Sequence, residues 1–246
     1  TLAALSQSSG TDTYNVAVGY NAGKLVSTGV QNTIVGSLAG DALSTGDRNT
    51  ALGAYALSTE DTGSRSVAIG WYSLLMQNYD GIAYNTAVGY GSGNQITTGT
   101  LNTIVGALAG DAITTGGSNA IFGYTAGTSL ETGSDNVIMG SAAMNSANGS
   151  ESRNVAIGTN ALYALDSDGQ NYNVAVGYDA GKAVTTATEN VLVGGLSGDA
   201  LTTGQYNTAI GTSALSTEDT GSGNVAIGRK ALTTQNYDGF AYNVAV

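Results

Sequence analysis

Hydrophobic and polar positions along the chain follow a period of 17 residues. An Asn, three apolar or β-branched residues and a Gly recur from end to end. The Asn positions are Asn15, Asn32, Asn49, Asn85, Asn102, Asn119, Asn136, Asn154, Asn173, Asn190, Asn207, Asn224 and Asn243, with Ser66 in the one remaining place. Of the thirteen steps between these starts, nine are 17 residues, one is 18 and three are 19. A fixed period of this size is the signature of stacked structural repeats. A longer duplication lies over it. Residues 14–88 align with 172–246, sharing STEDTGS (58–64 and 216–222) and QNYDG (77–81 and 235–239).

With Asn as position zero, position one is Val or Thr in every coil but that of Ala120, and positions two and three are apolar in all fourteen. A short β-branched run bounded by Asn and Gly predicts a strand. Recurrent Gly argues against helix. In a strand, positions one and three face one way and position two the other. Both faces are apolar here, as in strands buried on both sides. One face can fill the lumen of a coil. The other needs cover that a narrow solenoid does not supply, and an identical neighbouring chain supplies it. The expectation is a homo-oligomer, a trimer about a long axis.

The second half of each coil predicts a weaker strand, with Ala or Ser at position seven and Leu, Val or Ile often at position eleven, as at Val26, Leu43 and Ile96. Turns are expected at Thr45-Gly46, Thr98-Gly99 and Thr203-Gly204, where Gly would supply a positive φ. The insertions of the long steps fall at one corner, by the QNYDG segments. The fold class is therefore all-β, a parallel β-solenoid of about 17-residue coils. Residues 1–246 form one domain, with 1–14 as an irregular lead-in or partial coil. The chain stops inside a repeat at Val246, which reads as a fragment of a longer fibre. The Asn column is expected to form a structural ladder, hydrogen-bonding from coil to coil.

Composition narrows the function. Gly numbers 37, Pro and Cys are absent, and the hydrophobic fraction of 41% is too high for a disordered chain. Seven Lys and Arg against 18 Asp and Glu give a net charge of −11, which disfavours nucleic acid as a partner. No apolar run is long enough to insert in a membrane.

NVAIG at 154–158 and 224–228, NTAIG at 207–211 and SVAIG at 66–70 resemble the repeat of the YadA-like head domain of trimeric autotransporter adhesins. Residues 208–215 and 224–232 are similar to a longer form, NTAIG-x-x-AL-x-x-x-TTG, of trimeric phage tail fibres. The resemblance spans residues 15–246. It implies a left-handed β-roll wound as a homotrimer on a virion or cell surface. The 17-residue coil exceeds the usual length of the adhesin repeat, which favours the tail fibre.

Candidate chemistry is sparse. With no His and no Cys, the commonest general base, thiol nucleophile and zinc ligands are missing, and neither enzyme activity nor a cofactor is expected. The pairs Glu60–Asp61 and Glu218–Asp219 could serve glycoside hydrolysis but are expected to be solvated acidic corners. Asp166-Ser-Asp168-Gly169 imitates the start of a calcium loop without its closing Glu. Tyr20, Trp71, Tyr90, Tyr124 and Tyr178 share position five as candidate ligand-facing aromatics for a cell-surface glycan or protein receptor. A Thr column at position thirteen, including Thr28, Thr45, Thr98 and Thr203, suits ice binding as an alternative. The expected function is a rigid adhesive spacer in a trimeric surface fibre, a phage tail fibre first and an adhesin head second.

Overall fold

The computed structural model describes residues 12–246, so the expected lead-in falls largely outside the described residues. The chain divides into two compact units, residues 1–119 and 120–246. Each unit is a parallel β-solenoid. The first carries β1 (Val16–Val18), β2 (Thr33–Val35), β3 (Thr50–Leu52), β4 (Val67–Ile69), β5 (Thr86–Val88) and β6 (Thr103–Val105). The second carries β7 (Ala120–Phe122), β8 (Val137–Met139), β9 (Val155–Ile157), β10 (Val174–Val176), β11 (Val191–Val193), β12 (Thr208–Ile210), β13 (Val225–Ile227) and β14 (Val244–Ala245). No helix occurs among the described residues.

Sequence period and ladder register coincide. Position one pairs with position one of the next coil, as in Thr33 with Thr50 and Thr50 with Val67. The 19-residue coils keep that register, because their extra residues form separate parallel bridges, Ser64 with Ile82, Ser152 with Gln170 and Ser222 with Phe240. The surplus is thus taken up at one corner while the strands stay aligned.

The weaker second strand expected around position eleven is absent from the described coils, where that half is turn and bend. The reason lies in the backbone. Positions six, eight and sixteen sit in the left-handed region even when occupied by bulky residues, such as Leu38 (φ 57°), Leu57 (φ 54°), Tyr72 (φ 60°) and Arg48 (φ 58°). Such residues cost of order 1–2 kcal/mol each and are held only by their surroundings. Here the surroundings are inter-coil hydrogen bonds: Leu38 N–H donates to Tyr20 O (2.8 Å), Leu57 N–H to Ser73 O (3.1 Å) and Arg48 N–H to Val30 O (2.9 Å).

The Gly of the Thr-Gly turns also differs from expectation. Gly46, Gly99 and Gly204 do not adopt a positive φ. They are Gly because a Cβ would run into the carbonyl oxygen of the Gly stacked on it, Gly63, Gly116 and Gly221 respectively. Close coil stacking, rather than turn geometry, sets the residue.

The lumen is thin and fully packed. Position two is buried, as at Ile34, Ala51 and Ala68, together with Ala or Ser at position seven and the apolar residues at position eleven. In several coils volume is traded between two positions: Leu57 and Leu74 at position eight accompany Ala51 and Ala68 at position two, whereas Gly40 at position eight lies under Ile34, whose Cδ1 a Cβ there would meet at 3.4 Å. Interiors tolerate such exchange only while total volume is conserved.

Candidate functional site

The Asn column occupies the corner where each coil enters its strand. Asn32 Nδ2 donates to Gly46 O of its own coil (2.9 Å), while its Oδ1 accepts the backbone N–H of Asn49 in the next (2.8 Å). Asn49 repeats this with Gly63 O (2.8 Å) and Ser66 N–H (2.9 Å), and Asn207 with Gly221 O (2.9 Å) and Asn224 N–H (2.9 Å). One amide closes its own coil and also ties it to its neighbour. Beside Ser66, the one break in the column, Gln77 Nε2 donates to Ser66 Oγ (2.8 Å) and its Oε1 accepts from Asn85 Nδ2 (2.9 Å), a bridge that Gln235 repeats between Asn224 and Asn243.

Gln77 also leads to the carboxylates. Glu60 and Glu218 are not solvated corners. Both side chains are fully buried, because they occupy position eleven, the place of Leu43 and Ile96 in other coils. Glu60 Oε1 accepts from Gly63 N–H (2.7 Å) and Oε2 from Gln77 Nε2 (2.9 Å). The duplicate block repeats the set with Glu218, Gly221 N–H (2.7 Å) and Gln235 Nε2 (3.1 Å). These are buried polar groups satisfied by the fold. Glu151 is a third, accepting from Gly149 N–H and Ser167 N–H, both at 3.1 Å.

Desolvation pushes the Glu60 and Glu151 carboxyls above the usual carboxylate range, the hydrogen bonds they accept opposing it only in part. A carboxyl raised in the folded state stabilises the fold below its unfolded pKa, and that contribution is lost as pH rises through the folded value. Urea midpoints are therefore expected to be higher near pH 5 than near pH 7. Paired Glu60→Gln and Glu151→Gln substitutions should flatten that slope, and an unchanged slope would show that these carboxyls do not carry it.

The outer face of the sheet is apolar. Positions one and three of each strand are half-buried to exposed, with Val16 50%, Val18 56% and Met139 39% exposed. The position-five aromatics Tyr20, Trp71, Tyr90, Tyr124 and Tyr178 are all exposed. In the first unit they extend into a cluster that the sequence did not reveal. Trp71 stacks on Tyr72 (centroids 4.7 Å apart), Tyr90 meets Trp71 edge-on (5.4 Å), and Tyr55 lies 5.2 Å from Tyr72. The aligned repeats held the signal, since Tyr55 and Tyr72 share position six.

Of the Thr column, Thr28, Thr45, Thr98 and Thr203 are exposed, while the Thr62 and Thr220 hydroxyls donate to Asp80 Oδ1 (2.6 Å) and Asp238 Oδ1 (2.8 Å). Asp168 Oδ1 accepts from Ser150 N–H (3.3 Å), which ties the calcium-like segment to the preceding coil. No group of three or more Asp or Glu side chains among the described residues is placed to hold a metal ion.

Comparison of the chain with protein-family models, with curated proteins and with solved structures gives no match.

Proposed function

We propose that this chain is a structural and adhesive segment of a trimeric surface fibre, of the phage tail-fibre kind, in which three copies pack their outer sheet faces together. The observation that carries the proposal is the outward column at positions one and three. Val, Ile, Leu, Phe, Met and Thr methyl groups form it throughout both units, with no charged residue at either position. Continuous apolar surface of this kind marks an interaction face in a folded protein. The left-handed homotrimeric roll implied by the repeat resemblance is part of the proposal. In such a fibre the inter-coil hydrogen bonds would carry axial load, while the corners repeat a weak binding surface many times. Repetition raises avidity without any new contact. Ice binding is less well supported, because the Thr62 and Thr220 hydroxyls are already committed to Asp partners.

The test is a pair of lysines on the outer face. Ile69 and Val88 are adjacent position-three residues of β4 and β5, on the side of the sheet away from the lumen. Ile69→Lys with Val88→Lys leaves the lumen untouched, so a lone chain should keep its fold. In the assembly each copy would bury two unpaired cations against its sisters, at high cost. The variant is expected to sediment as a single chain with unchanged β-sheet circular dichroism. Retention of the wild-type sedimentation coefficient would overturn the proposal.

A further inference from the structure

The long duplication contains an internal control for the aromatic cluster. Residues 14–88 and 172–246 are identical at 50 of 75 aligned positions, and the flanking STEDTGS and QNYDG segments match completely. Against that background, three rings of the cluster have non-aromatic counterparts: Ser213 for Tyr55, Arg229 for Trp71 and Lys230 for Tyr72. The backbone is nonetheless the same. Tyr72 and Lys230 have φ of 60° and 64°, Leu74 and Leu232 have φ of 48° and 50°, and β4 and β13 cover equivalent residues. The same backbone is therefore reached without the rings, so the fold does not depend on them.

Location limits the role the rings can have. Arg229 and Lys230 form no ion pair among the described residues, so positions five and six accommodate two adjacent solvated cations. Such an edge does not suit burial against sister copies, where two adjacent cations without partners would be stranded.

Chemistry limits it further. The Tyr55, Tyr72 and Tyr90 hydroxyls and the Trp71 indole N–H have no hydrogen-bond partner among the described residues, and no cation lies over these four rings. The cluster thus offers ring faces fringed by free donors and acceptors. A hexose presents the complementary surface, an apolar C–H face ringed by hydroxyls. The chain's net charge of −11 disfavours an anionic ligand.

We infer that Tyr55, Trp71, Tyr72 and Tyr90 form a stacking platform for a neutral, hexose-containing glycan. The platform deepens the adhesive reading and rests on it for its purpose, and the experiment judges the two separately. The full chain would be applied to an array of neutral glucose-, galactose- and mannose-containing oligosaccharides. A bound oligosaccharide would then be titrated while tryptophan emission is followed, because Trp71 is the only tryptophan. Saturable binding with an emission change is expected. A triple variant, Tyr55→Ser, Trp71→Arg and Tyr72→Lys, takes the residues the duplicate already carries. It should lose at least about tenfold in affinity on the array, as loss of central aromatic anchors does elsewhere, with an unchanged melting midpoint. A silent array overturns the platform and leaves the rings as a protein contact. Undiminished binding by the triple variant overturns it too. Solution mass decides the trimer independently, whichever way the array reads.

Discussion

Gly53→Ala is expected to destabilise the first unit by about 2–6 kcal/mol, a large part of the stability of a marginally stable chain. Two costs combine. Gly53 has φ of +138°, a backbone region that side chains enter only with strain of order 1–3 kcal/mol. Its Cβ would also lie on the carbonyl of Gly70 in the next coil, 2.6 Å from the carbonyl carbon, and backbone held in a ladder cannot step aside as a side chain can. Over-packing of this sort adds about 1–3 kcal/mol. The same stacking repeats at Gly36, Gly70 and Gly89, so alanine at any of them should act alike. Gly169 is the built-in comparison. Its φ is +102° but a Cβ there meets nothing within 4 Å, so Gly169→Ala should carry only the conformational part. Thermal or urea melting of the two variants measures the difference, and equal losses would show that crowding between stacked coils adds nothing to the backbone strain.

Asn102→Ala should cost about 3–5 kcal/mol. The side chain is fully buried. Its Nδ2 donates to Gly116 O (2.9 Å), and its Oδ1 accepts both the backbone N–H (3.1 Å) and the side-chain amide (3.1 Å) of Asn119. Truncation strands a buried carbonyl and a buried N–H, each worth roughly 1–3 kcal/mol when left unpaired, and opens a small cavity. Asn102→Asp keeps the acceptor for Asn119 N–H but loses the donor to Gly116 O and buries a charge, so it should be no milder at neutral pH and should recover as the pH falls. Hydrogen exchange localises the effect. Protection should drop first at Thr103 and Asn119, the backbone groups on either side of the missing amide. A loss under about 1 kcal/mol would mean that the column is turn chemistry repeated many times and not a ladder.

The solenoid was legible in the sequence because a stacked fold writes its geometry as a period. Each residue at position one meets position one again, so spacing alone predicted strand, register and the apolar outer face. The winding of the corners was not legible. Leu57, Tyr72 and Arg48 carry no local preference for a left-handed backbone, and inter-coil hydrogen bonds impose it on them. The Gly at 46, 99 and 204 looked like turn glycines for the same reason, since sequence does not separate a residue chosen for φ from one chosen for lack of a Cβ. Glu60 was expected on the surface although the signal for burial was present. Aligned with Leu43 and Ile96 it falls on the lumen column, and a charged residue in that column had to be buried and partnered. The aromatic cluster depended on two neighbouring positions, five and six, taken together across successive coils. Position five alone holds only part of it.

Cover of the outer face by further copies of the same chain is the central claim. Sedimentation equilibrium on the unmodified chain over a wide concentration range tests it without mutation. The predicted result is one species at three times the 24.5 kDa chain mass, persisting on dilution. A folded, monodisperse species at 24.5 kDa, with Val16, Val18 and Met139 open to water, would contradict it.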